Sequence, residues 1–407
     1  DPNFLSTDRP FRNLSDLLLG PTDDRAATLP YLQNVMSLCA VGREVLLSGS
    51  AFEKFAALAQ CLEYLPGHPA TAAVDGLLSF LLGDRVALRL ATCEELWEVG
   101  NDALAGLRPS TLLSGLGVEA LALRTRPFTS PEALSFPDTE IKRIFDLSDA
   151  VASPRALKKL LLRGLPDPST DLPFSIFTDR LLASLEEFYE ADACALRLAL
   201  SSSFRFCRNP RKRELDGVAA SLLDGKAVGE EGENSLATSL LLTLLDAARE
   251  RGLPVILSVG DGDCREIHAF FRHMASHTGL PRILLIGQPS ALLPLAEAFA
   301  FRTERGFPGI LPILPSFPVT GTFSPEEASP AGGAAFPTLA EYARLYPARF
   351  LLLPCETVND PVSLFLCRLR HDSLRQAVNA LLPTDPEEAE SLAEDIGYAN
   401  IRNYFSL

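Results

Sequence analysis

The chain has 407 residues, and its 37 basic against 52 acidic side chains give a formal net charge of −15, which argues against a nucleic-acid binder built on clustered Lys and Arg. Hydrophobic residues make up 47% of the chain, yet its best apolar stretch, 236–248, is broken by Thr238, Ser239, Thr243 and Asp246. It falls short of the about 18 residues that cross a bilayer, so a soluble protein without a membrane partner is expected, of two or three domains or one β/α barrel with an inserted subdomain.

From Phe11 to Leu107 the pattern is helical: Phe52, Phe55, Ala56, Leu58, Ala59 and Leu62 recur at three- and four-residue spacing, and Glu94 to Trp97 open a helix after Thr92. Pro66, Gly67 and Pro69 punctuate this region, with His68 in the turn. Beyond residue 110 short apolar runs alternate with amphipathic helices, the pattern of repeated β-α units. Seven strands are expected, at 118–124, 142–147, 193–200, 254–260, 282–287, 310–315 and 349–355, one short of a closed eight-stranded barrel. Helices fit at 177–190, 235–251, 263–278, 290–301 and 364–382. Residues 207–226, with Arg208, Arg211, Lys212 and Arg213, and residues 319–337, rich in Pro, Gly, Ser and Ala, read as mobile surface loops.

The eight cysteines (39, 61, 93, 194, 207, 264, 355 and 367) include no C-x-x-C pair and read as reduced, buried thiols, which points to the cytoplasm. No zinc staple has both halves of its ligand set. No basic run followed by an apolar core opens the sequence at Asp1.

In a β/α barrel the reactive groups lie where strands end. After the fourth expected strand come Gly260, Asp261, Gly262, Asp263 and Cys264, and after the seventh come Glu356, Asn359 and Asp360. Converging carboxylates there bind a divalent cation through oxygen or work as an acid/base pair; alternatively Asp261 caps a turn and Asp263 the next helix. His268, His273 and His277 fall on one helix, with the four-residue interval that puts two imidazoles on one face, but no third ligand stands at a recognisable spacing. There is no G-x-S-x-G elbow, P-loop or G-x-G-x-x-G fingerprint.

The last fourteen residues, Glu394-Asp395-Ile396-Gly397-Tyr398-Ala399-Asn400-Ile401-Arg402-Asn403-Tyr404-Phe405-Ser406-Leu407, resemble the C-terminal signature of the uronate isomerase family. The stretch Arg9-Pro10-Phe11-Arg12-Asn13-Leu14-Ser15-Asp16-Leu17 resembles the family's lead-in to its helical insertion, Glu94-Glu95-Leu96-Trp97-Glu98 a later helix, and Arg370-His371-Asp372 the stretch after its last strand. The resemblance implies a (β/α)8 barrel of the amidohydrolase superfamily that interconverts glucuronate with fructuronate and galacturonate with tagaturonate, using one divalent metal such as zinc or manganese.

The family's catalytic pattern does not carry over. Its first strand ends in His-x-His, whereas here Asp1 to Asp8 runs almost directly into Arg9. Ser258 stands where the third ligand histidine belongs, and a hydroxyl is a poor substitute for imidazole on a transition metal. The family's His-Tyr pair falls on Pro21 and Thr22, its substrate-binding Arg near Ser148 and Asp149, and its final Asp-x-Arg on Glu356, Thr357 and Val358. Its tryptophan loop has no counterpart, since Trp97 is the only Trp.

The resulting expectation is an α/β fold: a TIM-like β/α barrel of the amidohydrolase type, missing or distorted at strand 1, with an N-terminal α-helical insertion subdomain. The boundaries fall at 9–109 for the insertion, 110–407 for the barrel and 1–8 for an N-terminal arm. Glu356 and Asp360 are the expected catalytic residues, and Arg370, His371 and Ser258 the expected substrate-binding ones. No metal or other cofactor is expected, with Asp261, Asp263 and Glu356 as the alternative, a rebuilt carboxylate metal site. The function implied is that of a catalytically impaired uronate isomerase homologue, against a non-catalytic sugar-acid binder or scaffold and an active isomerase with the rebuilt site. The ligand is a uronate or other sugar acid. A barrel lacking a strand exposes two edges, which predicts a homo-oligomer.

Overall fold

The computed structural model describes residues 8–20, 31–129, 135–164, 174–259, 264–287, 289–299, 303–304, 307–308, 310–312, 350–352, 360–381, 385–405 and 407. The chain opens with helices α1 (Leu14–Leu19), α2 (Tyr31–Leu38), α3 (Arg43–Ser48), α4 (Ala51–Glu63), α5 (Pro69–Leu82) and α6 (Cys93–Ala103). The three- and four-residue spacing read in the sequence buries Phe55, Leu58, Ala59 and Leu62 on one face of α4. A capping box starts that helix: Glu53 N–H donates to Ser50 Oγ (3.2 Å) and Ser50 N–H to Glu53 Oε2 (2.7 Å). His68 caps α5, its Nδ1 accepting from Ala70 N–H at 3.1 Å. Trp97 packs against Phe52 and Phe55, with ring centroids 5.6 and 5.3 Å away.

Helix α7 (Pro109–Gly115) leads into strand β1 (Ala120–Thr125). There follow β2 (Glu140–Asp146), α8 (Ser148–Ala152), α9 (Pro154–Gly164), α10 (Phe174–Glu190), β3 (Ala193–Leu200), α11 (Lys212–Leu223) and α12 (Glu230–Arg251). Then come β4 (Val255–Val259), α13 (Cys264–His277), β5 (Ile283–Ile286), α14 (Pro289–Phe299), the short β6 (Thr303–Glu304) and β7 (Phe307–Pro308), and β8 (Ile310–Pro312). The chain closes with α15 (Pro361–Leu381), α16 (Pro386–Glu394), a π-helical turn (Asp395–Ala399) and α17 (Asn400–Phe405).

Six strands form one parallel sheet in the order β1-β2-β3-β4-β5-β8, while β6 and β7 make a separate antiparallel ribbon. Strand order follows chain order, as β-α units wound in one direction require. The expected barrel is borne out only as an α/β fold with a parallel sheet: among the described residues that sheet has six strands and is open, with β1 and β8 as its edges. Of the seventh expected strand, residues 349 and 353–355 lie outside the described residues, and the described Leu351 and Leu352 are buried but unpaired in any strand. Within the basic segment 207–226 the loop reading is corrected for 212–223, which form α11, because Leu215, Ala219 and Leu222 recur at helical spacing and bury one of its faces. The segment 319–337 lies outside the described residues.

Two apolar layers cover the sheet. On one face Phe145, Leu196, Leu198, Leu257 and Leu285 pack against α8–α13. On the other, Ile144, Ala195, Ile256 and Leu284 meet Leu351, Leu352, Leu374, Val378, Ile396 and Tyr404. The N-terminal helices have their own core, which Val362, Phe365 and Leu366 of α15 complete. The contact is close enough to require a glycine: a Cβ on Gly76 would stand 2.4 Å from Phe365 Cε1. Gly76→Ala is therefore expected to lose about 1–3 kcal/mol to overpacking, more than the about 1 kcal/mol of helix propensity it gains. Equilibrium urea unfolding checks this, and an unchanged or raised midpoint contradicts it.

Candidate functional site

All six sheet strands are parallel, so their C-terminal ends gather side chains at one end of the sheet. Register and alternation decide which residues share the inner face with Ile144 and Ala195. Asp146 pairs in register with Arg197, Arg197 with Ile256, Ala199 with Ser258, and Ser258 with Ile286. Arg124 pairs with Ile144 and so shares that face from the edge strand. Toward the strand ends the inner face thus turns from aliphatic to polar, carrying Arg124, Asp146, Arg197 and Ser258.

Asp146 is the best defined of these groups. Arg124 Nε donates to its Oδ2 at 2.6 Å, and the backbone N–H of Ser148 donates to its Oδ1 at 2.9 Å. Burial pushes the carboxyl up, but the Ser148 hydrogen bonds and the Arg124 guanidinium outweigh it and hold the group below the usual carboxylate range. Asp146 is therefore an anion at neutral pH, unsuited to donating a proton and suited to positioning a cation.

The residues expected from sequence distribute unevenly. Ser258 does lie on the inner face, half-buried, at the end of β4. Glu356, Asp261 and Asp263 lie outside the described residues, as do Pro21 and Thr22. Arg370 and His371 belong to α15, about 14 Å of helical rise from its start, and their side chains lie outside the described residues. Asp360 caps that helix: Ser363 N–H donates to Oδ1 at 2.8 Å and Ser363 Oγ to Oδ2 at 2.6 Å. The carboxyl is only 3% exposed, and burial pushes it up to about 6 against those hydrogen bonds.

On α13 the His273 and His277 rings lie 4.1 Å apart between centroids, with His277 Nδ1 2.9 Å from the His273 carbonyl. His268 leans on Phe299 at 5.5 Å. Among the described residues no three His, Cys, Asp or Glu side chains come together in a way that could hold a metal ion, so the described groups do not fit one. A cavity of about 80 Å³ opens on the opposite, helix-covered side of the sheet, between α8, α9 and α12, with Ser201, Ser203, Glu230, Glu233 and Asn234 in its lining. Burial, then the neighbouring Glu230, raises the carboxyl of Glu233 there. Leu157, Phe204 and Leu240, which also line it, belong to the outer apolar layer, so this cavity is separate from the inner face.

Sequence reasoning missed Arg124 and Asp146. The available signal was the pair Arg124 and Asp146 at the ends of consecutive parallel strands, legible only once their register is known.

These features define an α/β protein with a parallel sheet, helices packed on both of its faces and polar groups at the strand ends. Among solved structures the fold is that of the uronate isomerases. A uronate isomerase from Thermotoga maritima superposes with a TM-score of 0.77 and 16% identity, covering 99% of this chain and 92% of that one. A glucuronate isomerase from Caulobacter crescentus gives 0.74 and 16%, covering 100% and 89%. A Lactobacillus casei protein described as a candidate metal-dependent hydrolase gives 0.52 and 12%, covering 86% of each. No protein-family model matches the sequence, and no curated protein does. The expectation that no cofactor takes part is overturned, because metal dependence is ascribed to a structure that shares this fold.

Proposed function

We propose that this chain is a divergent homologue of the uronate isomerases that binds a sugar acid at the polar end of the inner sheet face and interconverts aldose and ketose forms poorly. The observation carrying this reading is the make-up of that face: Arg124, Asp146, Arg197 and Ser258 stand there, with a hydroxyl at the position where the family resemblance calls for imidazole. Isomerisation needs a base that moves a proton between neighbouring carbons and an electrophile that stabilises the enediolate. Asp146 is ionised but held by Arg124 and Ser148, which weakens it as a base. If a divalent cation binds, oxygen ligands such as Asp261, Asp263 and Glu356, which follow strands in the sequence, would hold it, and it would supply the electrophile. The helices of residues 9–109 are the inserted unit in this reading, and the edges that β1 and β8 leave unpaired among the described residues favour a homo-oligomer.

The test pairs metal analysis by mass spectrometry with a ketose-formation assay on glucuronate and galacturonate, with zinc or manganese added. The Thermotoga maritima uronate isomerase runs beside it as the active reference. Glucuronate binding with turnover at least a hundredfold below the reference is the expected result. Turnover equal to the reference overturns the impairment, and absence of sugar-acid binding overturns the whole reading.

A further inference from the structure

Two cysteines that the sequence separates meet in the N-terminal helices. Cys39 follows the last residue of α2, and Cys61 lies in the last turn of α4. Hydrogen bonds of the kind that terminate helices fix the end of α2: Ala40 N–H donates to the Ser37 carbonyl at 3.1 Å and Val41 N–H to the Met36 carbonyl at 3.0 Å, with Ala40 in the left-handed region at φ 61°. Helices α2 and α4 pack together in the N-terminal core, where Cys61 is 3% exposed and Cys39 is half-buried at the margin. Both thiols are free, and they share a hydrogen bond. Burial, and after it the neighbouring Cys39, pushes the Cys61 thiol up to about 12, so it keeps its proton at neutral pH.

Other cysteines face different groups. Cys207 Sγ accepts from Ser235 Oγ at 3.3 Å, and the buried Cys194 has Lys142 as its charged neighbour. A lone buried thiol is inert, whereas an oxidised sulfur with a second sulfur beside it condenses to a disulfide.

We infer that Cys39 and Cys61 form an oxidation site, at which a peroxide joins them in a reversible disulfide that fastens the end of α2 to α4. Peroxide reaches half-buried Cys39 first. Its thiolate sulfur attacks hydrogen peroxide, an S–O bond forms as the O–O bond breaks, and the leaving hydroxide takes a proton to depart as water; the sulfur is oxidised to a sulfenic acid. The Cys61 sulfur then attacks the Cys39 sulfur, so that the S–S bond forms as the S–O bond breaks. The Cys61 proton leaves with the hydroxyl as a second water. A dithiol reductant returns the two electrons and two protons and restores both thiols. The clamp acts on a helix already held at its other end, since Tyr31 N–H, at the start of α2, donates to the Asp360 carboxylate at the start of α15. The site lies apart from the polar end of the sheet and does not depend on the sugar-acid reading.

Peptide mass spectrometry of the full chain, reduced, exposed to hydrogen peroxide and then alkylated, tests the assignment. The expected product is a cross-link between the peptides carrying Cys39 and Cys61, lighter than the two thiol peptides by two hydrogens and lost on treatment with dithiothreitol. The oxidised chain should unfold thermally about 5 °C above the reduced one, the order of magnitude for a disulfide closing a loop of this length. Cys39→Ser should abolish both the cross-link and the shift, Cys61→Ser should leave Cys39 as a sulfenic acid that dimedone traps, and Cys207→Ser should change neither cross-link nor shift. Half-buried Cys39 makes the milder replacement, and the wild-type peptide map decides even where Cys61→Ser fails to fold. Three outcomes overturn the inference: Cys39 oxidised to a sulfinic acid beside an unmodified Cys61, a cross-link between other cysteines in place of this one, or no oxidation of either thiol.

Discussion

Tyr404→Ala is expected to remove about 3–5 kcal/mol of unfolding free energy, the range for deleting a large buried aromatic side chain, seen as a lowered urea midpoint. Tyr404 is 1% exposed and packs in the inner layer with Ile144, Ala195, Ile256 and Leu284. Its neighbour Arg282 immediately precedes β5 and is itself buried. Arg282 Nη1 donates to the Tyr404 carbonyl and Nη2 to the Gly252 carbonyl, each at 2.9 Å, while its guanidinium carbon stands 5.2 Å from the Tyr404 ring centroid. Gly252 precedes β4, so one cation joins the C-terminal segment to the N-terminal ends of two central strands. Losing the ring opens a cavity and leaves Arg282 without its aromatic cover. Tyr398 supplies the contrast, since it is 37% exposed and its hydroxyl meets Glu119 and Arg402 at the surface. Tyr398→Ala should cost less than about 1 kcal/mol, as exposed polar contacts generally do. Similar midpoints for the two variants would mean that the buried Tyr404 ring contributes no more to the fold than the exposed Tyr398 ring.

The same packing accounts for the C-terminal signature. Its fourteen residues carry the resemblance in the sequence, and in the fold Ile396, Ile401, Tyr404, Phe405 and Leu407 pack against the sheet, at the end opposite its polar groups. Asn400 Nδ2 donates to the Leu351 carbonyl at 3.0 Å, and Ile396 is fully buried. A segment that must fit several strands at once is constrained along its whole length, which makes it readable without being catalytic.

Elements were legible where local pattern and tertiary role agree. Residues 193–200 form β3 as expected, because the run is apolar on both faces apart from Arg197, and Asp192, at φ 63°, turns the chain into it. Helix α11 was hidden because Arg208 to Arg213 dominate the composition ahead of its buried stripe of Leu215, Ala219 and Leu222. The edges of β1 and β8 follow from pairing across the whole sheet, which no single segment encodes. The same limit applies to the site. Asp360 follows a strand-like run just as Glu356 does, and position alone does not reveal that its oxygens face Ser363. Arg124 and Asp146 are 22 residues apart, and only the β1–β2 register brings them together.

Asp360 supplies the second large effect, a stability that falls as the pH rises. Its carboxyl is held at about 6 in the folded chain against an ordinary 3.8, chiefly by burial. A raised folded value means that the folded state binds the proton more tightly than the unfolded one. The contribution is fully present below about pH 4 and is lost as the pH climbs through about 6; the shift corresponds to about 3 kcal/mol as an order of magnitude. The hydrogen bonds from Ser363 and the backbone amides oppose this and keep the residue useful as a cap even when ionised. Asp146 titrates with the opposite sign, because its depressed folded value gives stability that is lost as the pH falls. A comparison of wild type with Asp360→Asn cancels that background. Asparagine keeps an acceptor for Ser363 and cannot ionise, so its stability relative to wild type should rise by about 3 kcal/mol between pH 4 and pH 7.5, read from urea midpoints at both values. A difference independent of pH would mean that the Asp360 carboxyl titrates near its ordinary value and that burial around the start of α15 is looser than the contacts of Val362, Phe365 and Leu366 require.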